Sequence, residues 1–456
     1  MRRLRRQYPN ELVVIGVHSA KFPAEKLTAN IRAAVARHGI THPVVNDAEF
    51  QVWTRYGVRA WPTVMVVDPA GKVVGYQPGE LDADAFAPVI DGLIATAAAD
   101  GTLDPTPLPF LAPADERTDD TFFRFPSKIA TAHGGRLFVA DTGHHRIVEV
   151  QLAEDGLHGE PVRIFGTGAP GLQDGPIAQA QFHDPHGMAF RQTPTGSTLY
   201  VADTENHAIR AIDLVRETVT TVAGTGRMGR GGRVTSTDPR EIDLRSPWAL
   251  ALLDDALFIA MAGSHQIWVR LDDAQNSAAR MGVFAGTGAE ALVDGPRDEA
   301  AFNQPSDLVL SMGHLFIADA EASAVRAIGL DEEMRVMTLV GQGLFEFGDV
   351  DGQGASVRLQ HPTGLATDGR LLYIADTYNH KIKTLDPTTG DVHTLIGTGA
   401  PGADDGPFAQ ATLYEPEGLA YLDGRLYIAD TNNHTVRVAD LATGVISTLA
   451  AGGDVV

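Results

Sequence analysis

The sequence predicts a multidomain protein in which a small α/β domain precedes an all-β propeller of six blades. Three observations support this prediction. Residues 1–98 alternate helical and strand-like segments, as α/β domains do. Residues 125–456 repeat one phrase six times, which indicates a repeat architecture. Residues 99–124 are rich in proline and acidic side chains, and they predict an extended linker between the two.

Composition and charge restrict the classes of function. The 456 residues include no cysteine, which excludes disulfides, thiolate metal sites and thiol exchange in this chain. The formal net charge is −22, and residues 101–456 carry −23 of charge, because residues 1–100 have a net charge of +1. Such a surface repels phosphate backbones, so we expect no nucleic-acid partner. The apolar run LVVIGV near the start is too short for a signal peptide or a membrane span, and we expect a cytoplasmic protein without membrane contact.

The α/β domain follows from a series of short segments. Residues 1–8 predict the end of an amphipathic helix, and residues 11–19 predict a buried strand because their apolar run is continuous. A helix over residues 23–39 begins with proline and ends with glycine. A short strand, HPVVND, and a short helix, AEFQVWTRYG, come next. Residues 55–79 then predict a β-hairpin, and residues 82–99 the last helix.

Each repeat of the second domain predicts four short strands. Its central phrase reads LFVADTGHHRIVEV in the first copy and LYIADTNNHTVRVA in the last. A proline-containing strand precedes each phrase, and an apolar stretch ending on glycine follows it. Four strands make one propeller blade, so six repeats predict a six-bladed ring. The aspartate of the phrase, replaced once by methionine, recurs at Asp141, Asp203, Met261, Asp319, Asp376 and Asp430.

These phrases resemble NHL repeats, in which an aspartate precedes Asn-His and a β-branched residue. The order of elements in residues 1–98, and the stretch VRAWPTVMVVDPAGKVVGYQPGE above all, resembles the thioredoxin-like fold of the redoxin type. Together they are similar to the NHL repeat-containing protein 2 group. The resemblance implies a structural cis peptide bond before Pro62. It also implies a first strand and a Cys-x-x-Cys turn that this sequence lacks, so we expect an α/β domain that is incomplete at its N-terminus and has no thiol activity.

The recurring aspartates and histidines predict structural roles rather than a metal site. Only one such aspartate occurs in each blade, and we expect it to accept hydrogen bonds from the N–H groups of its own turn. In five repeats a histidine lies four residues later and two residues before a β-branched core position. The two-residue period of a strand places it beside the core, and we expect half-buried histidines between blades at His145, His207, His265, His380 and His434. We assign no metal, no cofactor and no catalytic residue.

The positions that flank the proline of each first strand differ in chemistry from blade to blade. First strands lie innermost in propellers, so these positions reach one mouth of the central channel. Repeat symmetry does not require the differences, and we expect a ligand or partner site formed by Asp184, His186, Trp248, Asp307, His361, Glu415 and Glu417, with Lys128 and Gln304 at the same level. The alternative is that a hydrated channel mouth simply accepts polar residues.

Long connections between blades, such as GTGAPGLQDGPIAQAQFHDP, predict a face of loops of the kind on which propellers bind partners. The first functional hypothesis is therefore a non-catalytic interaction or scaffold protein whose protein partners bind the propeller loop face. The alternative is a thiol-disulfide oxidoreductase whose true start and Cys-x-x-Cys lie upstream. A second alternative is a metal-dependent hydrolase or lyase at the channel mouth. The sequence leaves enzymatic activity undecided.

Overall fold

The computed structural model describes residues 1–79, 83–106, 121–194, 196–230, 234, 236, 238–272 and 279–451. The chain divides into two compact units, residues 1–118 and residues 119–456. Part of the predicted linker, residues 107–120, lies outside the described residues. Within the described residues, no helix has both the length and the apolar character needed to cross a membrane.

The first unit combines helices with two separate two-stranded sheets. Strands Gly16–His18 and Val44–Asn46 pair in parallel, and strands Thr63–Val67 and Val73–Pro78 form an antiparallel hairpin. A short 3-10 helix spans Ala24–Lys26. The α-helices are Arg2–Gln7, Thr28–Arg37, Gln51–Tyr56 and Ala83–Ala99. The elements thus follow one another in the order that the sequence predicts.

The first and last helices of this unit pack together through a small apolar cluster. Leu4, Tyr8 and Ile90 are buried in it, and the Tyr8 hydroxyl donates a hydrogen bond to the Asp91 carboxylate at 2.7 Å. At the start of the hairpin the peptide bond before Pro62 is cis.

The second unit confirms the predicted six-bladed propeller. Each blade is a meander of four antiparallel strands. The first strands of neighbouring blades contact one another around the ring, so they lie innermost. In order along the chain, the blades consist of Pro126–Ala132, Arg136–Asp141, Arg146–Leu152 and His158–Phe165 (blade 1); Pro185–Thr193, Gly196–Asp203, Ala208–Asp213 and Thr218–Ala223 (blade 2); Pro247–Leu253, Ala256–Met261, Gln266–Leu271 and Arg280–Ala285 (blade 3); Pro305–Ser311, His314–Asp319, Ala324–Gly329 and Arg335–Val340 (blade 4); Gly364–Thr367, Leu372–Asp376, Lys381–Asp386 and Asp391–Ile396 (blade 5); and Pro416–Leu422, Arg425–Asp430, Thr435–Asp440 and Val445–Thr448 (blade 6).

A fifth, two-residue strand covers the outer edge of most blades. In blades 2, 4, 5 and 6 it comes from the connection that leads into the blade, at Gly175–Pro176, Gly295–Pro296, Gly352–Gln353 and Gly406–Pro407. In blade 1 it comes from the far end of the chain, since Ala450–Ala451 pairs in parallel with residues 158–159. The sheet of blade 3 has four strands among the described residues.

The propeller core lies between adjacent blades. Val139 and Val148 of blade 1, for example, pack against Tyr427 and Val438 of blade 6. Short 3-10 helices join the second and third strands of each blade, at Thr142–His144, Thr204–Asn206, Ala262–Ser264, Ala320–Ala322, Thr377–Asn379 and Thr431–Asn433. Two more lie in the connections, at Pro239–Glu241 and Gly354–Ser356. We call the side of the ring that carries the turns between second and third strands and the connections between blades the loop face, and the opposite side the hairpin face.

Candidate functional site

The aspartate of the repeated phrase is buried and joins two parts of its own blade. In blade 2 one carboxylate oxygen of Asp203 accepts the backbone N–H of His183 at 2.7 Å, and four other blades repeat this contact. In blade 3 the Met261 sulfur takes the corresponding N–H of Arg245 at 3.4 Å. The predicted N–H donors of the turn are present as asparagine side chains in blades 2, 5 and 6, and the backbone N–H is an additional donor. Because the first two strands are antiparallel, the segment that enters the blade lies beside this carboxylate.

A buried cation joins the same aspartate to the connection that enters the blade. Arg210 is fully buried and contacts Asp203 and Asp174, each at 2.8 Å. Asp174 also accepts the N–H and hydroxyl of Thr221. We call this set the clamp; blades 4, 5 and 6 repeat it around Arg326, Lys383 and Arg437. Burial raises the pKa of the inner aspartates to about 6, against the lowering effect of the cation, at Asp203, Asp319, Asp376 and Asp430.

Blade 3 replaces the inner aspartate, the cation and the threonine of the clamp with uncharged side chains. Met261 stands in place of the aspartate, and Trp268 and Val283 pair across the strands where blades 2, 4, 5 and 6 have the cation and the threonine. The buried Trp268 indole donates to the Gln266 side chain at 3.1 Å. The clamp is therefore structural, since an apolar set fills the same position in an otherwise equivalent blade.

The recurring histidines join each blade to the next one. The Nδ1 atom of His380 accepts the backbone N–H of Glu415 in the following blade at 3.1 Å. The same bond forms from His145, His207, His265 and His434, with Ser323 replacing the histidine in blade 4. The acceptor role requires an unprotonated Nδ1. Burial lowers the pKa of His380 to about 4, which keeps its ring neutral.

Three residues of the predicted mouth site lie at these junctions between blades. Asp184, His361 and Glu415 each precede a proline in a left-handed conformation, with φ of 49°, 51° and 49°. Their side chains contact neighbouring groups: Asp184 lies 3.0 Å from His145, His361 stacks on Tyr378, and Glu415 accepts from Asn432 at 2.8 Å. The first strand turns away after this residue, so these side chains are held at the blade junctions.

A buried ion pair crosses the channel. Lys128 of blade 1 lies 2.9 Å from the carboxylate of Asp307 in blade 4, on the opposite side of the ring. The same ammonium also donates to the backbone carbonyls of Thr363 in blade 5 and Glu417 in blade 6. Asp307 in turn accepts the N–H of Leu365 at 2.9 Å. The channel therefore holds a cation that belongs to the chain itself.

The remaining predicted residues surround this ion pair. His186 is buried against the half-buried Trp248 ring, with 4.4 Å between ring centroids. Its Nδ1 donates to the Asp184 carbonyl at 2.9 Å. Burial lowers the pKa of His186, whereas the nearby Glu417 carboxylate raises it. The structure thus brings together His186, Trp248, Asp307 and Glu417, and we call these residues with Lys128 the mouth cluster.

Sequence analysis missed the buried cations of the clamp. A signal was present, since Arg210, Arg326, Lys383 and Arg437 each lie seven residues after the aspartate, between two core positions of one strand. Among the described residues, no three His, Cys, Asp or Glu side chains are grouped as metal ligands. The mouth cluster can offer carboxylate, aromatic and imidazole groups to a ligand at the surface.

Comparison with known proteins gives relatives over nearly the whole chain. A family model of the NHL repeat matches residues 123–149 and 413–439, in blades 1 and 6. NHL repeat-containing protein 2 of Gallus gallus is 39% identical over 98% of this chain and 64% of its own length. The human protein is 38% identical over 96% and 63%. Protein SUPPRESSOR OF QUENCHING 1, chloroplastic, of Arabidopsis thaliana is 40% identical over 94% and 41%.

Solved structures with a similar arrangement are distant in sequence. A nidogen/laminin complex matches with a TM-score of 0.44 and 18% identity over 69% of this chain and 92% of its own. A streptogramin B lyase matches with a TM-score of 0.42 and 10% identity over 73% and 85%. The chain spans less than two thirds of the length of the curated relatives above. The chain therefore contains NHL repeats, and over nearly its whole length it is similar to NHL repeat-containing protein 2, at 38–39% identity.

Proposed function

We propose that this chain is a non-catalytic interaction protein whose propeller binds protein partners on its loop face. The observation that supports this most directly is that the recurring polar side chains form their bonds inside the propeller. The recurring Asp, Arg and His side chains form bonds within and between blades, and Lys128 fills the channel with its own charge. What is left at the surface is a set of different side chains at one mouth and long loops around it, which suits recognition of a partner.

We further propose that the first unit is a thioredoxin-like domain without thiol chemistry. The order of its helices and strands supports this proposal, as does the relationship to NHL repeat-containing protein 2 over at least 96% of the chain. Thiol exchange requires a cysteine thiolate, and the sequence has no cysteine. The unit would then serve as a packing or binding module.

The proposal is tested by reversing charge on one face of the propeller. Full-length protein is tagged and used for affinity capture from its own organism, alongside two double variants. Glu205→Arg with Glu290→Arg alters exposed side chains on the loop face, and Glu154→Arg with Glu332→Arg alters exposed side chains on the hairpin face. We expect specific partners to be retained by the hairpin-face variant and lost from the loop-face variant. Equal capture by all three proteins would refute binding on the loop face.

A redox function is the second candidate, because the related proteins are longer than this chain and the first unit has the predicted element order. Its cysteines would have to come from polypeptide outside this sequence. Intact mass of the protein from its own organism decides between the two. A mass above 48.5 kDa with cysteine in the added N-terminal peptide would support an oxidoreductase, and a mass of 48.5 kDa would leave the interaction role.

A further inference from the structure

One histidine nitrogen at the junction of blades 1 and 2 has two contacts that require opposite protonation states. The Nδ1 atom of His145 lies 3.2 Å from the backbone nitrogen of Asp184 and 3.0 Å from a carboxylate oxygen of the same residue. Without hydrogen, Nδ1 accepts the backbone N–H; with hydrogen, it donates to the carboxylate. One atom cannot do both at once, so the protonation state of the ring decides which bond the junction contains.

The carboxylate is a particular feature of this junction. At three other histidine junctions the residue that supplies the N–H has no carboxylate: these residues are Ser246, Gln304 and Phe125. Glu415 supplies the N–H to His380, but its carboxylate accepts a hydrogen bond from Asn432 at 2.8 Å. The choice between two bonds to the same residue therefore arises at His145.

Titratable groups of both blades surround His145 and Asp184. They are His144 and Arg146, which contact Asp141 at 3.0 and 2.7 Å; His183, whose ring centroid lies 5.4 Å from that of His145; Glu205, whose N–H bonds the His183 carbonyl; and His186, which donates to the Asp184 carbonyl. Burial raises the pKa of the Asp184 carboxyl, but the hydrogen bond with His145 and the nearby histidine charges lower it overall. The carboxylate thus stays charged in the pH range in which imidazoles ordinarily titrate. The side chains of His145 and Asp184 are 21% and 19% exposed, so protons from solvent can reach the pair.

We propose that His145 is a proton-operated switch on the loop face, which exchanges its bond to the Asp184 N–H for a bond to the Asp184 carboxylate when the pH falls. The proton comes from solvent and binds Nδ1, while Nε2 keeps its hydrogen. The released N–H belongs to a residue with a left-handed backbone, at φ 49°, directly before Pro185, and surrounding bonds hold such a conformation in place. Protonation should therefore loosen the entrance of blade 2. This inference goes beyond the proposed interaction role and does not depend on a partner.

NMR of the full-length protein tests the proposal. Labelling histidine with ¹⁵N distinguishes a ring nitrogen that carries hydrogen from one that does not, and His145→Ser identifies the signal by its loss. We expect Nδ1 of His145 to be without hydrogen at pH 7.5 and to carry hydrogen at pH 5. Over the same range, hydrogen exchange at the Asp184 amide, corrected for its intrinsic pH dependence, should become at least about fivefold faster, as loss of one hydrogen bond implies. An Nδ1 in the same state at both pH values, or an Asp184 amide whose protection does not change, would overturn the proposal.

An internal control and a matched variant separate the switch from a general effect of pH. The Glu415 amide should keep its protection at pH 5, because burial lowers the pKa of His380 to about 4 and its Nδ1 still accepts the N–H. Asp184→Ser removes the carboxylate and supplies the residue that blade 3 has at the same position, Ser246, with the same φ of 49°. This variant should lose most of the difference between the two pH values at residue 184. Parallel changes at Asp184 and Glu415, or an unchanged response in Asp184→Ser, would reject the switch.

Neither measurement involves a partner protein. Failure of the switch therefore leaves the proposed function unaffected, and failure of the capture experiment leaves the switch unaffected.

Discussion

At the scale of single residues, one buried cation in a blade forms ion pairs with aspartates on two different segments of the chain. Arg326 is fully buried between Asp319, which is also fully buried, and the half-exposed Asp294. Removing one partner of a buried ion pair leaves an uncompensated charge, and this costs far more than replacing both partners. Blade 3 supports this view, because Met261 and Trp268 fill the equivalent positions without charge.

Arg326→Met should therefore lower the free energy of unfolding by about 3–5 kcal/mol. The double variant Asp319→Met with Arg326→Met should recover most of this loss, since both buried charges are removed. Urea unfolding at neutral pH measures both, and the two single variants complete a double-mutant cycle. A double variant as unstable as Arg326→Met alone would contradict the argument.

His380 should make stability depend on pH with a definite sign. Its ordinary pKa of 6.5 applies to the unfolded chain, and burial lowers the folded value to about 4. Above pH 6.5 the ring is neutral in both states, and stability is complete. As pH falls from 6.5 toward 4 the unfolded state binds the proton first, so roughly 2 kcal/mol is lost by pH 5.

His380→Ser supplies the control, because Ser323 plays this role natively in blade 4. The variant should show a shallower fall in stability between pH 7.5 and 5 than the natural protein. His133→Ser, at an exposed hairpin position, should follow the natural profile. Thermal unfolding at each pH measures the three proteins, and parallel curves for all of them would show that His380 does not carry the dependence.

At the scale of elements, the innermost strands approach so closely that some positions exclude a side chain. A Cβ atom on Gly418 would lie 2.2 Å from the Ser127 carbonyl of blade 1. Gly187 and Gly364 are equally close to the backbone of the next blade. The larger Lys128 and Asp307 occupy the same position in blades 1 and 4, and their side chains cross the channel. Glycine at this position lets two first strands approach closely, whereas Lys128 and Asp307 extend their side chains across the channel.

Gly418→Ala should destabilise the propeller by about 1–3 kcal/mol, since the added methyl group forces two strands apart. Gly196→Ala is the matched control within a blade, because its added Cβ would meet only a Val215 methyl at 4.0 Å. Chemical denaturation compares the two. If both changes have the same small effect, close strand contact at the channel is not a source of stability.

The elements differ in how much of their structure can be predicted from sequence. The blades can be predicted because the phrase around Asp141 recurs six times, each time between a proline-containing strand and an apolar stretch that ends on glycine. The predicted mouth residues were only partly grouped, since Glu415 and Glu417 lie on the same strand entrance yet contact different parts of the ring. Residues two apart would share one side of a regular strand, but Glu415 has a left-handed conformation and the register shifts between Pro416 and Gly418, which the spacing does not reveal. To predict the clamp, one would have to know that the incoming connection folds back onto the outer strand of the blade. The spacing of residues along the sequence does not show this.

At the scale of the whole molecule, the ring closes between blades 6 and 1, which the described chain joins through the two-residue strand Ala450–Ala451. Blade 6 reaches blade 1 through the Thr431 hydroxyl, which donates to the Pro126 carbonyl at 2.8 Å, and through His434, which accepts the N–H of Phe125 at 3.0 Å. The Tyr427 hydroxyl adds a bond to the Gly156 carbonyl at 2.9 Å. The threonine and histidine bonds also join blades that follow one another in the chain, so their strength matters most at this junction.

Thr431→Ala should thus open the ring more readily than the same change elsewhere, at a similar cost in global stability. Thr377→Ala is the matched control, since Thr377 donates to the Pro416 carbonyl at 2.8 Å between blades that the chain also connects. Loss of one buried hydrogen bond predicts about 1 kcal/mol in each, and only Thr431→Ala should also speed proteolysis, through local opening of the ring. Equal proteolysis rates for the two variants would show that the closing junction is no weaker than the others.

The covering strands also determine when each blade can be completed during synthesis. The four blades covered by their own incoming connection have all five strands within one short stretch of sequence, so each can form as that stretch leaves the ribosome. Blade 1 differs, because its outer strand pairs with residues 450–451. The first blade to be made is therefore the last to receive all its strands, and the propeller can finish folding only after the final blade has been translated.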